Sequence, residues 1–284
     1  MVTTRELELP DGRRIVVHDA PCPDGPDALT VVWHHGSPQT GALLDPLLEA
    51  AAARRIRLVS YARPSYGGST PNRGRSVGSA ASDVEQIVDA LGIDRFAVMG
   101  ASGGGPHALA CAALLPDRII GAVTLASLAP LTDAFDWYGG MVSPGGLRAA
   151  AAGRKARERY AETEEFDESQ FTAADWAALA GTWKTLGQDA ELAGGEGPEG
   201  LVDDDLAFAS PWGFEVSSIL VPVLVVQGGE DRVVPPAHAD WLLRHLPMAE
   251  LWLRSRDGHI SVLDACPVAM DWLLELARAT RGAD

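Results

Sequence analysis

Phe96-Ala97-Val98-Met99-Gly100-Ala101-Ser102-Gly103-Gly104-Gly105-Pro106-His107-Ala108-Leu109-Ala110-Cys111 is the stretch on which the fold turns. Its first residues form a short apolar run that reads as a buried strand. From Pro106 to Leu115 the chain reads as a helix, and proline suits a first helical turn because its missing N–H is not needed there. Between them, Gly100-Ala101-Ser102-Gly103-Gly104 fits G-x-S-x-G. A serine on a sharp strand-to-helix turn is an exposed, strained candidate nucleophile. Such a turn crowds its neighbours, so positions 100 and 104 must be small. The helix N-terminus beneath the serine supplies positive partial charge where an oxyanion would form.

Working outward, short apolar strands alternate with amphipathic helices. A hairpin is expected around Pro10-Asp11-Gly12, with Leu7 and Leu9 before the turn and Arg14 to His18 after it. A Pro-, Gly- and Asp-rich loop covers 20–27. Strands are expected at 29–34, 57–61, 95–99, 122–126, 222–227 and 249–253. Helices are expected at 42–54, 80–91, 106–115, 237–245 and 269–278. Gly92 stands at the position that ends a helix in a left-handed turn. This alternation predicts an α/β fold: a mostly parallel twisted sheet with helices on both faces. Such a sheet places its ligand site at the carboxyl ends of the strands, where Ser102 stands.

Between about Pro130 and Val216 the alternation stops. Helical runs at 146–160 and 172–186, an acidic run from Glu162 to Glu168 and a glycine-rich stretch at 194–200 replace it. The expected organisation is a core of 1–130 and 216–284 with a helical lid of 131–215 inserted over the strand ends. Trp137, Trp176, Trp183 and Trp212 fall in the insertion or at its edge. They serve as lid core or as walls of a substrate pocket, at least one of them facing Ser102.

A net charge of −16 disfavours nucleic acid and anionic membrane surfaces as partners. Cys22, Cys111 and Cys266 cannot all pair within one chain and lack metal-like spacing. Cys111 and Cys266 lie in apolar helical patterns, so buried thiols there and a cytoplasmic location follow as expectations. The N-terminal residues lack the apolar core of a signal peptide, and no apolar run approaches the ~18 residues that span a bilayer. No metal is expected.

A serine hydroxyl needs a base, and the base needs an orienting acid. Of seven histidines, His259 stands in a loop after the last strand, on the same sheet edge as Ser102. His18 lies in the hairpin, His34 and His35 end a strand, and His107, His238 and His245 fall in helices. The acid is expected from Gly228-Gly229-Glu230-Asp231, where Asp231 is preferred to Glu230. Asp257 is too close in sequence to His259 to point at its ring. One oxyanion donor is the Gly103 N–H; the other is expected from Ser37 in His34-His35-Gly36-Ser37-Pro38, since Pro38 has no N–H.

Together, His35-Gly36, the turn at Ser102, Gly229-x-Asp231 and Gly258-His259 resemble the α/β-hydrolase superfamily. The resemblance covers almost the whole chain and narrows to its lidded group of esterases, proline iminopeptidases and cofactor-free haloperoxidases. The order Ser102, Asp231, His259 matches that group, with His35, Gly36, Gly100 and Gly104 as supports. The segment Tyr61-Ala62-Arg63-Pro64-Ser65-Tyr66-Gly67-Gly68-Ser69 resembles the D-R-P-G-x-G-x-S loop, but departs at Ala62 and Ser65. Dehalogenases and epoxide hydrolases of this fold carry Asp where Ser102 stands. Iminopeptidases usually carry Trp where Gly103 stands and read the substrate amine with lid carboxylates, here Glu162, Glu164, Glu165 and Glu168. The resemblance implies a cofactor-free hydrolase of a small molecule with an acyl group: an ester, thioester or lactone. An aminopeptidase is the alternative, and a ligand-binding module on a hydrolase scaffold is an alternative of another class. The oligomeric state is not specified by these residues.

Overall fold

A computed structural model of the chain describes residues 1–22 and 28–281. Residues 23–27 of the expected loop lie outside the described residues. Eight strands form one sheet: β1 (Thr3–Glu8), β2 (Arg14–Ala20), β3 (Thr30–His34), β4 (Arg57–Tyr61), β5 (Phe96–Ala101), β6 (Ile119–Leu125), β7 (Val223–Gly228) and β8 (Ala249–Arg254). Their order is β1-β2-β4-β3-β5-β6-β7-β8. The hairpin β1–β2 and the β2–β4 joint are antiparallel, and every later joint is parallel.

Helices α1 (Asp45–Ala53), α2 (Ser79–Ala90) and α3 (Gly104–Leu114) connect the first parallel strands. Between β6 and β7 come α4 (Gly145–Ala151), α5 (Arg154–Ala161), α6 (Ala173–Ala180), α7 (Lys184–Gly195) and α8 (Glu199–Phe208). Helix α9 (Ala237–His245) joins β7 to β8, and α10 (Cys266–Arg281) closes the chain.

Near-continuous apolar strands are the signature of a sheet buried on both faces. Alternate residues sort cleanly between the two sides. Val32, Val59, Val98 and Val225 pack with Val84 of α2, Ala108 of α3 and Leu242 of α9. Val31, Leu58, Met99 and Val226 face the other way, against Leu47 of α1 and Leu273 of α10. A one-residue slip would exchange these sets, so register is strongly specified.

Strand order reverses between β3 and β5. The loops after these two strands therefore diverge and leave a crevice at their carboxyl ends. Ser102 follows β5 and His34-His35-Gly36 follows β3, so both stretches open into that crevice.

Each of the two expected helical runs of the insertion is divided. The run at 146–160 breaks at Gly153, whose φ is +101°. The run at 172–186 divides between Ala180 and Lys184. Thr172 starts α6 with a reciprocal capping box to Asp175, which satisfies donors that a helix start leaves open.

Helix α2 ends as expected. Gly92 has φ +64°, and the amides of Gly92 and Ile93 bond back to Asp89 and Val88. A Cβ on Gly92 would meet nothing within 4 Å, whereas one on Gly104 would lie 2.0 Å from the His34 carbonyl oxygen. Gly92→Ala is therefore expected to lose only the left-handed penalty of about 1–2 kcal/mol in urea unfolding. Gly104→Ala should lose several times as much or fail to fold. Equal losses at the two positions would contradict this account of the crossing.

Candidate active site

Ser102 sits at φ +52°, a conformation that non-glycine residues rarely hold. Its amide donates to the Leu125 carbonyl at 2.8 Å, and its carbonyl accepts from Gly105 at 3.0 Å. The crowding expected at the turn is real. A Cβ on Gly100 would lie 2.3 Å from the Gly104 carbonyl oxygen, so neither position can carry a side chain.

His259 reaches this serine. Its Nε2 lies 2.9 Å from Ser102 Oγ, and its Nδ1 lies 2.8 Å from Asp231 Oδ2. Asp231 can only accept, so Nδ1 carries the proton and Nε2 turns its lone pair to the hydroxyl. The other Asp231 oxygen accepts the amides of Val233 and Val234, both at 2.9 Å. Tight packing joins the two loops: a Cβ on Gly228 would lie 2.3 Å from the Gly258 carbonyl oxygen. Burial pushes the His259 pKa down, but the charge and hydrogen bond of Asp231, with the charge of Asp175, raise it above the usual 6.5. Glu230 is exposed, and Asp257 pairs with Arg254.

Ser37 stands beside the turn. A Cβ on Gly103 would lie 2.3 Å from Ser37 Oγ and 3.1 Å from Phe208 Cζ. Gly36 gives its N–H to Gln39 Oε1 at 2.5 Å, and Pro38 has none, so of these three residues only Ser37 has an N–H not committed in this way. Gly103 flanks the start of α3 as its cap, so its N–H lies at the helix end where the dipole favours negative charge. His35 supports the loop: its Nδ1 donates to the Gly36 carbonyl at 2.7 Å and its Nε2 accepts from the Arg63 amide at 3.1 Å. Burial and Arg63 hold it neutral, its pKa well below 6.5.

The insertion supplies charges that sequence reasoning missed. Asp204 of α8 is fully buried and accepts from Arg63 at 2.6 Å, Arg75 at 2.6 Å and Tyr66 at 3.0 Å, and from Ser37 Oγ. Burial pushes its pKa up, but Arg63 and Arg75 hold it well below the usual carboxylate range. Its neighbours Asp203 and Asp205 pair with Arg154 and Arg157 of α5. Asp189 of α7 accepts from the Thr40 amide and hydroxyl and from Gln39. Asp175 of α6 accepts from Ile260 and Ser261, next to His259. Three consecutive aspartates in a short helix are poor helix formers. That cost was the available signal of a compensating role for α8.

The remaining expectations fall out as follows. The four tryptophans are dispersed rather than gathered into one pocket wall. Trp137 packs on His238, Trp183 donates to Asp264 and Trp212 packs on Phe214; all three are buried. Trp176 is 41% exposed and packs on Phe166 and Phe171. An aromatic ring from the insertion also lies beside the turn at Ser102: that of Phe208. Glu162, Glu164, Glu165 and Glu168 are exposed, and Glu164 pairs with Arg157.

Ser65, a departure from the resembled loop pattern, has φ +75° and its hydroxyl bonded to Asp203 at 2.8 Å. Ala62 is fully buried, and a Cβ on Gly41 would lie 2.5 Å from its Cα. Cys111 and Cys266 are buried free thiols. Among the described residues, no helix is long and apolar enough to cross a membrane, and no cluster of three or more His, Cys, Asp or Glu could hold a metal.

Removing Asp204 would leave two arginines buried without their shared anion. Asp204→Ala is expected to lower the unfolding free energy by about 3–5 kcal/mol, read by urea denaturation. A loss under about 1 kcal/mol would show that the arginines find other partners or water.

Comparison with known proteins agrees with this fold. The sequence model of the alpha/beta hydrolase fold family matches residues 30–265. A pimeloyl-[acyl-carrier protein] methyl ester esterase from Nitrosomonas europaea is 27% identical over 249 residues, covering 87% of this chain and 94% of the esterase. A non-heme chloroperoxidase from Streptomyces lividans is 29% identical over 249 residues, covering 82% of this chain and 84% of that protein. Among solved structures, the enol-lactonase from Burkholderia xenovorans LB400 superposes with a TM-score of 0.73 at 19% identity, covering 96% of this chain and 99% of that one, a likeness of fold. The chain belongs to the α/β-hydrolase fold family.

Proposed function

We propose that this protein is a serine hydrolase of carboxylic esters, thioesters or lactones. One observation carries the reading: the unbroken hydrogen-bonded chain Ser102–His259–Asp231 at the carboxyl edge of the sheet. In this mechanism Ser102 Oγ attacks the acyl carbonyl while His259 Nε2 takes its proton. Asp231 stabilises the imidazolium and fixes the tautomer. The Ser37 and Gly103 amides hold the developing oxyanion. His259 then protonates the leaving group, and a water repeats the sequence to release the acid. Residues 131–215 act as a lid over this site. The esterase relative acts on an ester by its name, which favours the same bond type here.

The aminopeptidase alternative loses ground on two observations. An ammonium held in a desolvated pocket requires a free carboxylate. The acidic run of the insertion is exposed, and the buried Asp204 already pairs with two arginines. The tryptophan that iminopeptidases carry after the nucleophile has no room at Gly103, where Ser37 Oγ would lie 2.3 Å from a Cβ. A ligand-binding module without turnover would have no use for the aligned imidazole.

Three measurements test this. Ser102→Ala and His259→Ala should each lower turnover of a p-nitrophenyl ester by roughly 10⁴-fold; retention of activity in Ser102→Ala would reject the mechanism. The base works only when neutral, and its pKa is raised, so the acid limb of kcat/KM should be centred above 6.5. A limb centred below that value would contradict the Asp231 pairing. Finally, kcat/KM for neutral short-chain esters should exceed that for proline p-nitroanilide by at least ~10-fold, or about 1.4 kcal/mol in the transition state. Faster release from the proline substrate would make the aminopeptidase the better assignment.

A further inference from the structure

We propose that Asp175 is a positioning residue of this site: from the insertion, its carboxylate fixes the loop that aims His259 at Ser102. The inference rests on the serine-hydrolase reading above and adds a group that the triad does not contain. Asp175 is fully buried. Its Oδ2 accepts the Thr172 amide and hydroxyl, both at 2.9 Å. Its Oδ1 accepts the amides of Ile260 and Ser261 at 2.8 Å and the Ser261 hydroxyl at 2.9 Å.

The two oxygens do different work. A capping box needs only the oxygen that returns to Thr172. Oδ1 is not required for the helix start, and it is committed to the two residues that follow His259. The residue before His259 is fixed as well. A Cβ on Gly258 would lie 2.0 Å from Asp175 Oδ2, so this glycine lets the carboxylate come so close. The Gly258 amide donates to the same Ser261 hydroxyl at 2.8 Å.

Within the loop that carries His259, the Asp231 carboxylate bonds only the imidazole ring. A ring tied at Nδ1 can still move with its backbone, and misplacement of a base by about 1 Å can cost a hundredfold in rate. Asp175 removes that freedom by pinning the loop on both sides of His259. Its charge is maintained: burial raises its pKa, but the bonds from Ser261, Thr172 and Ile260 bring it below the usual 3.8. Asp231 from the loop after β7 and Asp175 from α6 are the charged groups acting on the imidazole, and both favour its protonated form.

The test compares Asp175→Asn with Thr172→Ala in the full chain, using a p-nitrophenyl ester. Asp175→Asn should lower kcat by about 10- to 100-fold with KM nearly unchanged. It should also move the acid limb of kcat/KM to lower pH, because one anion facing His259 is lost. Thr172→Ala loosens the helix start but leaves Oδ1 on its loop, so it should lower the melting temperature while kcat and the limb stay in place.

Unchanged kcat and limb in Asp175→Asn overturn the proposal, as does a Thr172→Ala variant that reproduces both changes. If Asp175→Asn does not fold, Ser261→Ala removes one donor to Oδ1 and should lower kcat several-fold; undiminished kcat there also overturns it. Ser102→Ala separates the two levels. Full activity in that variant defeats the hydrolase reading and the positioning role with it. Loss of activity there, with Asp175→Asn unaffected, defeats the positioning role alone.

Discussion

The tight passage of the β5–α3 turn beneath the end of β3 governs the rest of this structure. Gly104 lies so close to the His34 carbonyl that even a methyl group would overlap it. That contact makes Ser102 take a left-handed backbone and lifts its hydroxyl out of the sheet edge. It also brings Gly103 against Ser37, so loops separated in sequence by α1, β4, α2 and β5 meet at one corner. The strain at such a turn costs of order 1–3 kcal/mol. Burial of the flanking strands offsets it: Val98 and Met99 on β5 are fully buried, and each such side chain contributes about 1.5–3 kcal/mol.

The same edge collects the loops after β7 and β8. Gly228 and Gly229 let the Asp231 loop lie directly on residues 255–258. The acid and the imidazole therefore meet through backbone packing as much as through their own hydrogen bond. Asp231 is satisfied on both oxygens, by two amides on one and by His259 and Gln227 on the other. A carboxylate bound in this way keeps one orientation, and the ring it holds inherits that orientation.

Much of this was legible in the chain. Parallel strands announce themselves as apolar runs, and the order Ser102, Asp231, His259 follows from which loops emerge on one edge. The insertion was visible as an interruption of strand–helix alternation. What was not legible is how the insertion grips the core. Asp175, Asp189 and Asp204 bond to residues 85, 149 and 141 positions away. Aspartate in a polar helix ordinarily faces water, and no local pattern distinguishes one that is buried. Thr172 and Asp175 do form a visible capping pattern, but that pattern accounts for only one carboxylate oxygen. Tryptophan content marked the insertion as packed without showing that Phe208 is the ring at the turn. Ser65 illustrates the reverse limit: a departure from the related loop kept its backbone conformation, because Asp203 holds the new hydroxyl.

These contacts bear on how the insertion can move. It touches the His259 loop through Asp175, the Thr40 turn through Asp189 and the Ser37–Arg63 corner through Asp204. Lifting it as one body would break all three at once. It would also expose Phe208 and Trp183, which are 2% and 1% exposed in place. Those two rings alone represent about 3–6 kcal/mol of burial, which makes the lifted state two to four powers of ten rarer than the seated one. An insertion seated in this way holds the loops that carry His259, Thr40 and Ser37 in place.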